Sequence, residues 1–284
     1  MSQGSYIHHN CYGMLEDVRT DLNEYSTAFV QGSDTSGAYD NTEIIRKLNI
    51  AQKYLFNLLF VRFPDLFYVS SSVSGSSGVY TLPSDLARLS HVSDSNGNIL
   101  SPMNVRQKHL SNTTGSDSLY YRYGNTIVRD SGNSDALTVY YYKQPIDLTQ
   151  GMSSAGGALA LTLATTAKAV ADYYNGITIE NITDGWADTI SDYSAARVAT
   201  LATATGAASK YYGTVSTLPE PFHHLISRRA TLILKKTVTS PQRPDMGEVA
   251  DFREDLAETL RMFAGSSHGD VNLSDLFYNF ENYV

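Results

Sequence analysis

The sequence lacks features that several common protein classes require. Its single cysteine, Cys11, excludes an intrachain disulfide framework. Lys and Arg total 21 against 29 Asp and Glu, and this net charge of −8 argues against nucleic-acid binding, which needs clustered basic residues. No apolar run approaches the roughly 20 residues of a membrane helix, and the N-terminal residues show no secretory signal. We therefore expect a soluble protein made in the cytoplasm.

What the sequence has instead is a surplus of tyrosine. The 284 residues include 20 Tyr, whereas only 18% of them are charged. A tyrosine side chain combines an apolar ring with a polar hydroxyl, so it suits surfaces that become buried against partners. The composition therefore favours a binding or structural role over a catalytic one.

Amphipathic helices are predicted near both ends of the chain. Apolar residues at spacings of three and four predict helices over 14–29, 40–63, 221–237 and 245–264. Asp40 followed by Glu43, and Asp245 followed by Glu248, are typical of a helix N-terminus. Pro64 predicts that the second helix ends near Phe63.

Residues 67–145 have the pattern of β-strands. Leu119 to Tyr123 and Thr126 to Arg129 predict a hairpin around the two-residue loop Gly124-Asn125. Leu137, Val139 and Tyr141 alternate with Thr138, Tyr140 and Tyr142, which predicts a half-buried strand.

Residues 151–217 differ from the rest of the chain, with 15 Ala, 11 Thr and only eight charged residues. Short alternating stretches and Asn175-Gly176 predict strands there, and 164–172 is ambiguous between helix and strand. We predict an α+β fold: a helical bundle frame with a small antiparallel β core and an inserted all-β domain. The predicted domains are 1–66 with 218–265 (helical body), 67–149 (β core), 150–217 (insert) and 266–284 (C-terminal arm).

Three groups of residues have side chains that could form a catalytic or metal site. His8, His9 and Cys11 have ligand chemistry but lack the further ligands of a metal site, and no nucleophile motif accompanies His223 and His224. Asp184, Asp188 and Asp192, with Trp186 between them, suit solvated turns better than a cation or saccharide site. We therefore predict no catalytic residue, metal or cofactor.

The C-terminal arm carries an aromatic cluster with two interpretations. Its large residues are Leu276, Phe277, Tyr278, Phe280 and Tyr283. They either fold back on their own subunit or bind a neighbouring protein, because aromatic residues anchor interfaces once they are desolvated. These five are the predicted partner-binding residues.

The order of the elements resembles the bacteriophage head-to-tail adaptor proteins. The resemblance rests on four motifs: Phe63-Pro64, Tyr80-Thr81-Leu82-Pro83-Ser84-Asp85, Tyr140 to Leu148, and Leu218-Pro219-Glu220-Pro221-Phe222-His223. Residues 171–177 and 190–193 also look like a small β module of other phage structural proteins.

The resemblance implies a non-catalytic virion protein at the head–tail interface. It implies a homo-oligomeric ring of about twelve copies that binds the portal and a downstream tail, nozzle or stopper protein, while DNA passes through. The alternatives are another neck, tail or minor capsid role, such as a stopper or tail-completion protein. A carbohydrate-binding or carbohydrate-degrading tail protein that uses Asp184, Asp188 and Trp186 is a further alternative.

Overall fold

The computed structural model of the protein describes residues 9–26, 30–31, 38–104, 117–204, 206, 208–237 and 246–264. Contacts divide the chain into two compact units. The terminal unit joins Met1–Leu55 to Ile146–Val284, and the central unit comprises Phe56–Pro145. None of the helices within the described ranges has the length and apolar character needed to cross a membrane.

Four α-helices lie in the described ranges. They are α1 (Cys11–Asp21), α2 (Asn41–Arg62), α3 (His223–Thr237) and α4 (Met246–Ala264), with short 3-10 turns at Pro64–Phe67 and Glu220–Phe222. The first helix begins earlier than predicted because the Asn10 side chain accepts the N–H of Gly13 at 3.0 Å. It ends early because Asn23 adopts a left-handed conformation, with φ at 56°. Asp40 caps α2 as predicted, accepting the N–H of Glu43 at 2.6 Å.

The central unit contains an eight-stranded sheet in the order β1-β8-β4-β5-β6-β7-β3-β2. The strands are β1 (Tyr68–Val73), β2 (Gly75–Ser76), β3 (Val79–Thr81), β4 (Leu86–Ser93), β5 (Ile99–Pro102), β6 (Leu119–Tyr123), β7 (Thr126–Arg129) and β8 (Leu137–Lys143). The predicted hairpin is confirmed, since β6 and β7 pair antiparallel around Gly124-Asn125. Tyr80, Val92, Ile127 and Val139 are buried at the centre of this unit.

The terminal unit contains a seven-stranded sheet in the order β10-β11-β14-β13-β12-β15-β9. The strands are β9 (Gln150–Met152), β10 (Ala155–Gly157), β11 (Ala160–Thr162), β12 (Thr178–Asn181), β13 (Trp186–Tyr193), β14 (Val198–Leu201) and β15 (Tyr211–Thr214). The buried Tyr193 and Tyr212 hydroxyls bond to Lys168 O at 2.6 Å and to the N–H of Ala164 at 2.9 Å. These bonds let the sheet bury large polar-tipped rings in its core.

Helices from both sides of the Ala/Thr-rich stretch pack together in the terminal unit. The Tyr39 hydroxyl donates to Leu234 O of α3 at 2.8 Å, and Thr231 of α3 donates to Asp21 of α1 at 3.3 Å. The sheet joins the same unit, because Asn10 donates from Nδ2 to the buried Glu180 Oε2 at 2.8 Å.

The predicted helical bundle frame is wrong. Two sheets of eight and seven strands dominate the described chain, and its four helices are the minor component. Many of the strands are only two to four residues long, so they show little alternation, and their pairing is set by distant partners. Residues 164–172 form turns and irregular chain. The predicted domain bounds stay a prediction.

Candidate interaction surface

The alternation predicted for the last strand of the central sheet gives β8 two different faces. Leu137, Val139 and Tyr141 are buried in the core. Tyr140 and Tyr142 point to the opposite face, where both are partly exposed. The prediction of a half-buried strand is confirmed, and the outer face carries the two tyrosines.

Neighbouring strands add three more side chains beside these tyrosines. Tyr68 of β1 lies opposite Tyr142, and His91 of β4 lies opposite Tyr140. The His91 and Tyr140 rings stack with centroids 4.2 Å apart and planes 11° apart, and Tyr68 lies 5.4 Å from Tyr142. The Arg88 guanidinium carbon lies 5.9 Å from the centre of the Tyr142 ring. We call Tyr68, Arg88, His91, Tyr140 and Tyr142 the aromatic face.

Phenylalanines of the same unit hold one end of the aromatic face in place. The Phe60 ring of α2 meets Tyr142 edge-on, with centroids 5.4 Å apart and planes 85° apart. Phe56 packs against both Phe60 and Phe67, and Phe56 and Phe67 are themselves buried. Because the Phe60 ring already packs against Tyr142, the Tyr142 side chain loses little conformational freedom when a partner covers it.

The chemistry of the aromatic face suits protein binding. Its rings are partly exposed, Tyr68 at 39%, and each tyrosine has a hydroxyl that donates or accepts a hydrogen bond. Tyrosine and arginine are the residue types that most often dominate binding energy at protein interfaces. Stacking and cross-strand pairing pre-organise the five side chains, which lowers the entropic cost of association.

The predicted partner-binding residues of the C-terminal arm are not among the residues that the structure describes. Leu276, Phe277, Tyr278, Phe280 and Tyr283 lie outside the described residues. Their role therefore stays a prediction.

The histidine and cysteine candidates have local partners. His8 lies outside the described residues, His9 contacts Asp17 at 2.7 Å, and burial raises the pKa of the Cys11 thiol well above its usual range. His223 donates to Leu218 O at 2.7 Å across the start of α3. Burial, with Arg228 and His9 nearby, lowers the pKa of His224. No group of three metal-ligating side chains occurs in the part of the chain that the structure describes.

The three aspartates around Trp186 do not form a common site. Asp184 lies in the turn between β12 and β13, where it pairs with Lys210 at 2.6 Å. Asp188 accepts the N–H groups of Thr203 at 2.7 Å and Ala204 at 2.6 Å. Asp192 lies further along β13, beyond a register shift. Asp188 therefore stabilises the chain that follows β14. The arrangement of the three aspartates gives no support to acid/base chemistry on a saccharide.

Replacing Asp188 by Ala is expected to destabilise the terminal unit by about 1–2 kcal/mol, because two backbone N–H groups lose a charged acceptor. Trp186 is the only tryptophan in the chain, so its fluorescence during urea unfolding reports on this unit. Asp192→Ala is the matched control: Asp192 is exposed on the same strand as Asp188, and its loss should cost under about 0.5 kcal/mol. Equal losses in both variants would contradict the structural role of Asp188.

A polar cleft of about 240 Å³ lies among α1, α3 and α4. Asp21, Arg228, Lys235 and Glu248 line it, and Lys235 pairs with Glu248 at 2.6 Å while Arg228 pairs with Asp255. Burial raises the pKa of Asp21. Because its charges are largely paired within the protein, the cleft is less suited to a partner than the aromatic face.

The sequence contains a signal for part of the aromatic face, although the face was not among the predicted sites. The tyrosine surplus and the alternation in β8 together place Tyr140 and Tyr142 on a solvent-facing strand surface. Tyr68, Arg88 and His91 could not be added, because their position beside β8 depends on strand pairing across about 50 to 75 residues of sequence.

Comparison with known proteins gives one family. A model of the SU10 adaptor protein family matches residues 10–177, more than half of the chain. The match includes the whole central unit, with the aromatic face, and extends to Ile177 within the Ala/Thr-rich stretch. No curated protein matches the sequence.

Proposed function

The chain belongs to the SU10 adaptor protein family, and is thereby a phage adaptor and a component of the virion; from this we propose that it forms a ring beneath the portal. In this proposal about twelve copies join the head to the tail proteins below, each copy presenting two different faces to its neighbours. The ring extends the channel through which the genome passes. The five predicted partner-binding residues of the C-terminal arm, Leu276 and four aromatic residues, bind a neighbour or the portal.

The aromatic face is the observation that carries this proposal. It is a pre-organised, partly exposed row of Tyr, His and Arg side chains within the part of the chain that matches the family. The aromatic rings of this row interact only weakly with water. The row is therefore well suited to burial against another protein of the particle.

The charge of the chain supports a passive channel. A net charge of −8 disfavours tight binding to phosphate groups, so DNA can move past the ring without being held. We also propose that the protein has no catalytic activity, because it acts by binding and positioning other proteins.

The direct test is association of the purified protein with its portal, followed by native mass spectrometry. The double variant Tyr140→Ala/Tyr142→Ala should weaken association by roughly 30-fold or more, since two anchor side chains are truncated. Tyr123→Ala is the matched control: Tyr123 is 72% exposed on β6, separated from β8 by two strands, and should bind as the wild type does. Unchanged binding by the double variant would exclude the aromatic face as the interface.

A further inference from the structure

The charge of the aromatic face is opposite in sign to that of the chain. Arg88 lies opposite Tyr142 and His91 lies opposite Tyr140, and none of the five side chains of the face is acidic. Arg88 is exposed, and it forms no ion pair with a carboxylate in the part of the chain that the structure describes. The face therefore carries a permanent positive charge, whereas the net charge of the chain is −8.

Two register shifts in β4 bring both basic side chains to the same face. Arg88 and His91 are three residues apart, and in a regular strand an odd separation points two side chains to opposite faces. The pairing of β4 with β8 shifts between Leu86 and Arg88 and again between Leu89 and His91. The second shift returns His91 to the face that carries Arg88. Irregularities that redirect a side chain in this way occur preferentially beside functional sites.

Tyrosine rings hold each of these two side chains in position. The Arg88 guanidinium carbon lies 5.9 Å from the centre of the Tyr142 ring, and the His91 ring stacks on Tyr140 with centroids 4.2 Å apart. The Ser90 hydroxyl lies 3.3 Å from His91 Nδ1, which leaves Nε2 as the ring nitrogen for a partner. The donors are thus pre-organised, and binding costs them little side-chain entropy.

The spacing of the two donors matches an extended chain. Arg88 and His91 lie opposite positions of β8 that are two residues apart, so their rows are separated by about 7 Å. An extended segment repeats the side chains of one face at the same distance. Carboxylates at alternate positions of such a segment would therefore meet Arg88 and His91 together, and the planar fork of arginine fits a carboxylate with two parallel hydrogen bonds.

Phosphate groups fit the face less well than carboxylates do. Nucleic-acid binding needs clustered Lys and Arg, whereas the aromatic face has one permanent cation on an acidic protein. The apolar tyrosine rings between the two donors are instead typical of protein interfaces.

We propose that the aromatic face binds an extended acidic segment of the portal. Arg88 pairs with one carboxylate of the segment, and His91 donates from Nε2 to a second carboxylate two residues away. Tyr68, Tyr140 and Tyr142 cover the apolar atoms of the same segment. This inference rests on the proposed function, because it names the chemistry of the portal surface that the adaptor binds.

Substitutions at position 88 test the charge of the partner. Arg88→Met keeps an apolar stem on Tyr142 but removes the charge, so portal binding should weaken about 10-fold. Arg88→Glu places like charges together and should weaken binding at least about 100-fold. Arg88→Lys keeps the charge but loses the planar fork, so it should bind between the wild type and Arg88→Met.

Arg122→Glu is the matched control, because it makes the same change in net charge as Arg88→Glu. Arg122 is exposed on β6, separated from β8 by two strands, and its Nε donates only locally, to Gly124 O at 3.1 Å. The control should bind the portal as the wild type does. His91→Phe keeps the stack on Tyr140 and removes both ring nitrogens, so it should bind about 3- to 10-fold more weakly.

Binding of the full-length variants to purified portal is measured by biolayer interferometry at about 50 and 300 mM NaCl. The affinity of the wild type should fall with salt, and that of Arg88→Met should fall less, because a charge pair has been removed. Circular dichroism verifies folding. If Arg88→Glu unfolds, Arg88→Met and His91→Phe decide the result. A short DNA duplex is added as a competitor in parallel.

Equal binding by Arg88→Met and Arg88→Glu overturns the inference, since only an uncharged contact would fail to distinguish them. Tighter binding by Arg88→Glu than by Arg88→Met overturns it as well, because the partner would then be basic. Competition by DNA that depends on Arg88 would show that the face takes phosphate groups instead. If the wild type binds the portal in any of these cases, the adaptor function stands and the acidic partner is wrong. If the wild type does not bind the portal, the proposed function is wrong, and this inference with it.

Discussion

Replacing Arg19 by Ala is expected to lower the free energy of unfolding of the terminal unit by about 3–5 kcal/mol. Arg19 is 2% exposed and its guanidinium donates to Glu24 at 2.8 Å, to Tyr39 O at 2.7 Å and to Asn41 Oδ1 at 2.9 Å. The side chain thus ties α1 to the start of α2. Its loss takes the donor from buried acceptors and leaves a cavity, two effects that add.

The measurement is urea unfolding followed by the fluorescence of Trp186, which lies in the terminal unit. Arg19→Lys should be intermediate, because it keeps the charge but loses the planar fork that reaches three acceptors. Arg46→Ala is the exposed control, since the Arg46–Glu43 pair at 3.5 Å lies on the surface and contributes under about 0.5 kcal/mol. Equal losses of unfolding free energy in Arg19→Ala and Arg46→Ala would contradict a stabilising role for the buried hydrogen bonds of Arg19.

Replacing Asn10 by Ala should destabilise the terminal unit by about 3 kcal/mol. The Asn10 side chain has two functions: its oxygen caps α1 at the N–H of Gly13, and its Nδ2 donates to Glu180, which is 1% exposed. The substitution removes a helix cap and also a hydrogen bond to a buried carboxyl group in β12.

Asp40→Ala separates these two contributions. Asp40 caps α2 in the same way but at an exposed position, so its loss should cost about 1 kcal/mol. The difference of about 2 kcal/mol between the two variants measures the contact with Glu180. The unfolding of both variants is followed by Trp186 fluorescence. Equal losses of unfolding free energy would show that the hydrogen bond from Asn10 to Glu180 does not contribute to stability.

The sequence predicts local structure more reliably than architecture in this protein. The N-cap at Asp40, the hairpin at Gly124-Asn125 and the alternation in β8 are confirmed, because each depends on residues close together in the chain. The helical bundle frame is wrong because short strands such as β10 and β15 are defined by pairing partners rather than by their own pattern.

The candidate site could be predicted from the sequence only in part. The family resemblance came from motifs that include Tyr140 to Leu148, and it is confirmed at the level of the adaptor family. The stack of His91 on Tyr140 was not predictable, since it depends on β4 lying beside β8 with two register shifts. The resemblance of residues 171–177 and 190–193 to a separate β module stays a prediction.

Imaging of the particle neck tests the adaptor function most directly. We expect copies of this chain in a closed ring between the portal and the tail proteins, with Tyr68, Tyr140 and Tyr142 covered by a neighbouring chain. A neck without this chain, or a ring in which these three tyrosines face solvent, would contradict the proposed function.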